Sequence, residues 1–218
     1  MKDINKLTDQ ENTFLLKKLI VDSIYSASRL ENVNTTFPQT ETIINGMSVA
    51  GISTEDTQVI LNLKNAWQWV LNNHTSSFDL EISNKINNFI AYNESIDWGK
   101  LRTGNIVING VDFQPPVPNG NQVENYIKEL FAEKSSITEK ALKWMYYSMR
   151  SQLYWDGNKR TAILSANYIM LQNGVGGVLI QEKLLDKWNK LLSKFYETGD
   201  DKEILDWTYK NCIVRLKK

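Results

Sequence analysis

Proline is scarce along this chain, and its placement decides the fold class. Three of the four prolines in 218 residues fall in "QPPVP", 114–118, so the long tracts on either side can be helical without a break in the backbone ladder. Apolar residues in those tracts recur at spacings of three and four. From Thr8 to about Arg29 the rhythm runs through Leu15, Leu16, Leu19, Ile20, Ile24 and Tyr25, with Asp9 and Glu11 where a helix N-terminus favours acids. One helix is predicted there and a second from just after Phe37 to near Gly46. A third opens at "STED", capped by Ser53 or Thr54, and carries Val59, Ile60, Leu63, Ala66, Trp67, Val70 and Leu71. Further helices are predicted over about 80–92, 122–133, 138–153, 159–173, 181–196 and 201–213, with Gly174 ending the one before it.

The rhythm changes at "LRTGNIVINGVDFQPP", 101–116. Ile106, Ile108 and Val111 or Phe113 stand between and beyond Gly104 and Gly110, and Asn109-Gly110 is a strong hairpin turn, so a two-stranded flap is predicted. "GGVLI", 176–180, reads as a short extended segment. The architecture is therefore mainly α with a small β-hairpin flap, in a single domain over 1–218.

Apolar residues make up 42% of the chain, which also holds seven Trp and nine Tyr, a composition that folds without a partner. Lys plus Arg equals Asp plus Glu, 25 each, so no global field draws the chain to nucleic acid or to an anionic membrane. The single cysteine, Cys212, excludes an intrachain disulfide framework and is expected to be a buried thiol beside Ile213 and Val214. The single histidine, His74, is expected to be exposed in the loop "LNNHTSS". No secretory leader and no apolar run of membrane-spanning length is evident, and a cytoplasmic location is the expectation.

The chemistry concentrates in "QLYWDGNKRTAIL", 152–164. The helix after this turn is apolar on nearly every side, so its N-terminus is predicted to lie inside the protein. A buried helix N-terminus offers unpaired N–H groups and a positive dipole end to an anion. Gly157 would let backbone approach a phosphate, Asn158 adds an amide donor, and Arg160 a planar fork for phosphate oxygens. Asp156 could hold a Mg²⁺ ion that bridges phosphates. The competing reading is that Asp156 and Asn158 cap the helix while Arg160 pairs with an acid elsewhere.

This segment resembles the Fic family motif H-x-F-x-[DE]-G-N-[GK]-R, often followed by x-x-R. "LRTGNIVINGVDFQPPVP" is similar to the family's flap and "SASRLENVNTT" to its inhibitory helix. The resemblance implies a Fic-type helical bundle, with an N-terminal inhibitory region over about 1–50 and a core over about 51–213. It implies AMP transfer from ATP, with Mg²⁺, to a Ser, Thr or Tyr hydroxyl of a target protein held at the flap edge Ile106, Val107 and Ile108. It places an anion hole at Gly157 and Asn158, with Lys159 beside them, a metal-binding acid at Asp156, a phosphate-gripping arginine at Arg160 and an inhibitory acid at Glu31. A homo-oligomer is compatible with it.

Two positions depart from the pattern. The family histidine falls on Gln152, and an amide is no general base near neutral pH. The later arginine falls on Ile163, so Glu31 must pair with Arg160, Lys159 or water, or cap a helix. "NKRTA" without that arginine also resembles the toxin Doc, a Fic relative that phosphorylates its target. The readings carried forward are an autoinhibited, impaired adenylyltransferase, an inactive nucleotide-binding or regulatory Fic fold, and a Doc-like protein kinase.

Overall fold

The computed structural model describes residues 1–216. Among them ten α-helices follow one another: α1 (Asp9–Lys18), α2 (Ile20–Arg29), α3 (Phe37–Ile44), α4 (Thr54–Asn73), α5 (Leu80–Ile90), α6 (Gly120–Ala132), α7 (Ile137–Ser151), α8 (Asn158–Gln172), α9 (Leu185–Thr198) and α10 (Lys202–Asn211). Two short strands, β1 (Gly177–Val178) and β2 (Ile213–Val214), pair antiparallel. The mainly helical fold class is as expected.

Side-chain caps explain several of the starts. Thr8 and Glu11 form a capping box, Ser53 accepts from the Asp56 N–H, and Asp79 from the Ile82 N–H. α8 begins differently, on Gly157 at φ 70° with no side-chain cap. It is the central helix: every residue from Arg160 to Leu171 except Ile163 is buried, against α1, α4, α5, α7 and β1. Its one amide at the sheet, Asn167, donates to the Val178 carbonyl at 2.9 Å and accepts the Val178 N–H at 3.0 Å, so a polar core side chain holds the strand.

Four expectations are corrected. The first helix is two, broken at Leu19, which lets α1 pack on α8 while α2 turns onto α4. The last helix stops at Asn211, because β-branched Ile213 and Val214 take up the free edge of β1 instead. His74 is buried rather than exposed: it ends α4 and its Nε2 bonds to Asp9 of α1. The flap is not a hairpin. Asn109-Gly110 does turn, with Gly110 at φ 81° and Val111 N–H on the Ile108 carbonyl, yet residues 101–116 contain no strand. Its second arm is drawn away, Asp112 N–H to Glu197 at 2.9 Å and the Phe113 ring to Arg150 at 3.6 Å, and Pro115 and Pro116 have no N–H to donate.

Cys212 is 3% exposed, and burial pushes its thiol up to about 12. Only the thiolate reacts, so native protein at pH 8 should resist iodoacetamide while urea-unfolded protein labels fully, as read by intact mass. Rapid labelling of the native chain would contradict this burial.

No helix among the described residues is long and apolar enough to cross a membrane.

Candidate functional site

The turn between α7 and α8 is built by α5. Asn87, fully buried on α5, donates to the Asp156 carbonyl at 3.0 Å and to the Thr161 hydroxyl at 3.1 Å, and accepts the Gly99 N–H at 2.8 Å. Asn158 closes the turn on itself: its Oδ1 accepts the Tyr154 N–H and its Nδ2 donates to the Tyr154 carbonyl, both at 2.8 Å. That amide therefore shapes the loop, tying the start of α8 back onto Tyr154.

Gly157 is required by both conformation and space. A Cβ there would lie 2.8 Å from Ile90 Cγ2, on backbone at φ 70° that L side chains avoid. Gly157→Ala should therefore cost about 2 kcal/mol, a fall in melting temperature of roughly 4–8 °C for a chain of this size. An unchanged thermal melt would show that α5 yields readily.

Arg160 is 1% exposed and carries the electrostatics of the site. Burial alone disfavours its charge, but Glu31, Glu94 and Asp156 outweigh burial and hold the guanidinium above its ordinary pKa. Nε donates to Glu31 at 2.9 Å, Nη2 to Glu94 at 2.8 Å, and Asp156 lies 3.5 Å from Nη2. The reading in which Arg160 pairs with acids elsewhere in the fold is thus what this state displays. Lys159 reaches back to the Leu30 carbonyl at 3.3 Å, so the end of α2 and the start of α8 are tied at two points.

Asp156 accepts the Gly157 N–H through Oδ1, and its side chain is 43% exposed. Among the described residues no group of three or more His, Cys, Asp or Glu is arranged to hold a metal. A cavity of about 520 Å³ adjoins the turn, and its charged lining is Glu31, Glu55, Asp56, Glu94 and Asp156. A larger one, about 820 Å³, lies around Phe78, Ile127 and Phe131, away from residues 152–160.

Gln152 ends α7 in the left-handed region, at φ 45°, and its side-chain Nε2 donates back to the Met149 carbonyl at 2.6 Å. Its own carbonyl is taken by Arg102. Arg102, 1% exposed, reaches five backbone carbonyls, those of Gln152, Gly104, Pro115, Pro116 and Ser151, at 2.6–3.4 Å. It binds the start of segment 101–118, its proline end and the end of α7 into one unit. Trp155 closes over Gly104, where a Cβ would fall 2.6 Å from the indole. Val107 is 69% exposed, Ile106 is half-buried, and Ile108 packs against the core. Ile163 packs there too.

The structure brings together Glu31, Asp156, Gly157, Lys159 and Arg160, all named from sequence. Glu94, Asn87 and Arg102 were missed. Arg102 left a faint signal, a cation between Leu101 and the turn-forming Thr103-Gly104; Glu94 in "AYNES" left none that separates it from a solvated loop acid.

Among curated proteins, none matches this sequence. The family model described as Fic/DOC matches residues 77–170. Residues 134–508 of Fic-1 from C. elegans superpose with a TM-score of 0.77 at 19% identity, covering 90% of this chain and 62% of that one. A Fic domain containing signaling protein from Bacteroides thetaiotaomicron gives 0.75 at 16%, covering 94% and 85%. A Fic family protein from Desulfovibrio desulfuricans gives 0.74 at 13%, covering 89% and 62%. The chain thus spans under two thirds of the length of two of these three neighbours. The turn that α5, Asn158 and Gly157 shape lies inside the matched segment, and the chain has the fold of these Fic proteins, with residues 77–170 matching the Fic/DOC family model.

Proposed function

We propose that residues 152–164 are the nucleotide-phosphate site of a Fic-type adenylyltransferase, held closed by Glu31 and impaired by Gln152. The observation that carries the reading is the Glu31–Arg160 contact, 2.9 Å, at a helix start that no side chain caps. A buried guanidinium attracts an anion strongly, and a carboxylate from the N-terminal region sits where one would bind. Glu31 also lines the adjoining cavity together with Glu55, Asp56, Glu94 and Asp156, so removing it would free Arg160 Nε and lower the negative charge that polyphosphate meets there.

A Mg²⁺ ion fits only modestly. Asp156 has an exposed oxygen to offer, and the remaining positions would fall to phosphate and water, as Mg²⁺ accepts. When bound it would neutralise phosphate charge. Gly157 and Asn158 would hold an oxyanion through backbone N–H groups, with Lys159 and Arg160 supplying positive charge. A target segment would lie along Ile106, Val107 and Ile108, whose exposed Val107 and lack of strand pairing suit main-chain addition.

Gln152 favours a second reading, nucleotide binding without transfer. Its amide cannot accept the proton of an attacking hydroxyl, which removes a contribution of about 10²–10⁴ in rate. Calorimetry and labelling separate the two. Glu31→Gln should bind Mg-ATP at least about tenfold more tightly than wild type, the worth of one charge-assisted bond released to the ligand. Label reaching a protein from α-labelled ATP supports adenylyl transfer, and label only from γ-labelled ATP supports a Doc-like kinase. Binding without label from either supports the binding module, and no ATP affinity in Glu31→Gln would remove the phosphate-site reading itself.

A further inference from the structure

We propose that Glu94 is a positioning residue: a permanent counter-ion that aims Arg160, so that the Nε edge covered by Glu31 is the one position an incoming phosphate exchanges into. The idea rests on the phosphate-site reading above, but its geometry is separate. The two carboxylates on Arg160 are held in different ways. Glu94 is 14% exposed and its Oε1 accepts from Asn62 Nδ2 at 2.8 Å, while its Oε2 takes Arg160 Nη2 at 2.8 Å. Asn62, 2% exposed on α4, is fixed in turn by Gln58, which donates to its Oδ1 at 2.7 Å, and by the Tyr92 carbonyl at 2.8 Å. Each oxygen of Glu94 therefore has a partner, one of them a buried amide of the helical core.

Glu31 has no such support. Its side chain is 25% exposed, it follows the end of α2, and the next residue, Asn32, sits at φ 59°. Its only bond from a described side chain is with Arg160 Nε. If both acids left together, a guanidinium that is 1% exposed would lose its charge partners except Asp156 at 3.5 Å, a costly state for a buried cation. One fixed and one exchangeable acid avoids that state. It also keeps Nη1 toward the Ile90 carbonyl and Nε toward the position of the Glu31 carboxylate, so the arginine need not reorganise when a ligand replaces Glu31.

The test uses the full chain with Arg side-chain NMR and Mg-ATP calorimetry on wild type, Glu31→Gln, Glu94→Gln and the double variant. The ordered, slowly exchanging Arg160 guanidinium signal should persist in Glu31→Gln and be lost in Glu94→Gln, with wild-type circular dichroism in both. Persistence in Glu94→Gln, or loss in Glu31→Gln, overturns the proposal whether or not nucleotide binds. In calorimetry, adding Glu94→Gln to Glu31→Gln should weaken Mg-ATP about tenfold, because the cation is no longer aimed. A gain in affinity instead would make Glu94 a competitor of the ligand and overturn the proposal. If no variant binds ATP, the phosphate-site reading fails alone, and the NMR result still decides the role of Glu94. Should Glu94→Gln not fold, Glu94→Asp, which keeps charge but withdraws the carboxylate by one methylene, is read in the same way.

Discussion

Gln152→His combined with Glu31→Gly should raise transfer of label from α-labelled ATP to protein by about 10²–10⁴ over Glu31→Gly alone, the usual contribution of a general base. The backbone is ready for the exchange. Position 152 lies at φ 45°, ψ 62°, a region in which histidine is tolerated better than most side chains, so the substitution adds no backbone strain. The Arg102 bond to the residue 152 carbonyl is unaffected by the side chain, and the Met149 carbonyl that Gln152 Nε2 now occupies can accept a ring N–H. A bond of that kind would fix the tautomer and leave the other ring nitrogen as the base. The gain should follow pH in the sense required of a neutral imidazole: low in acid, rising as the ring loses its proton near its unperturbed pKa of about 6.5. Gln152→His alone should stay near wild type, since Glu31 still covers Arg160. If the double variant binds ATP yet transfers no label to itself or to any protein of a cell extract, the missing base is not what limits this chain.

Local pattern carried the central part of this fold into view, and long-range pairing hid the rest. α8 was legible because a helix apolar on nearly all sides has one place to go, and Gly157 because "DGN" before such a helix demands a turn. The Asn109-Gly110 turn was legible for the same local reason. The ladder expected on either side of it fails because Asp112 is held by Glu197, 85 residues away, a partner no window of sequence reveals. His74 was misread in the same way, since its partner Asp9 is 65 residues distant. At the site, the resemblance brought Glu31 into consideration and left its partner open among Arg160, Lys159, water and a helix end; geometry assigns it to Arg160. The bonds of the Asn158 amide to the Tyr154 backbone four residues back were not legible, a local pairing that motif reading passes over.

Arg102→Ala should be the most destabilising single change outside the apolar core, about 3–5 kcal/mol, at the upper end of what one substitution costs. The side chain is buried and faces five carbonyls with no carboxylate among its bonds, so its charge is balanced entirely by backbone dipoles; burial lowers its pKa accordingly. Removing it leaves several of those carbonyls without a donor and opens a void beneath the prolines. The loss is smaller than five charged bonds would sum to, because the cost of burying the guanidinium disappears with it. A fall in melting temperature of roughly 6–20 °C follows for a chain of this size. Arg102→Lys should lie between, since an ammonium offers three donors from one point and cannot span from Gly104 to Pro116 and Gln152 at once. The effect should also reach the site. Arg102 is the shared anchor of segment 101–118 and of residue 152, so under the proposed function, in which residues 156–160 hold the phosphates and transfer also needs the segment and residue 152 in register, Arg102→Lys in the Glu31→Gln background should weaken any transfer more than it weakens ATP binding. A shift in melting temperature under 2 °C for Arg102→Ala, or equal losses of binding and transfer for Arg102→Lys, would show that the arginine fills space without setting that register.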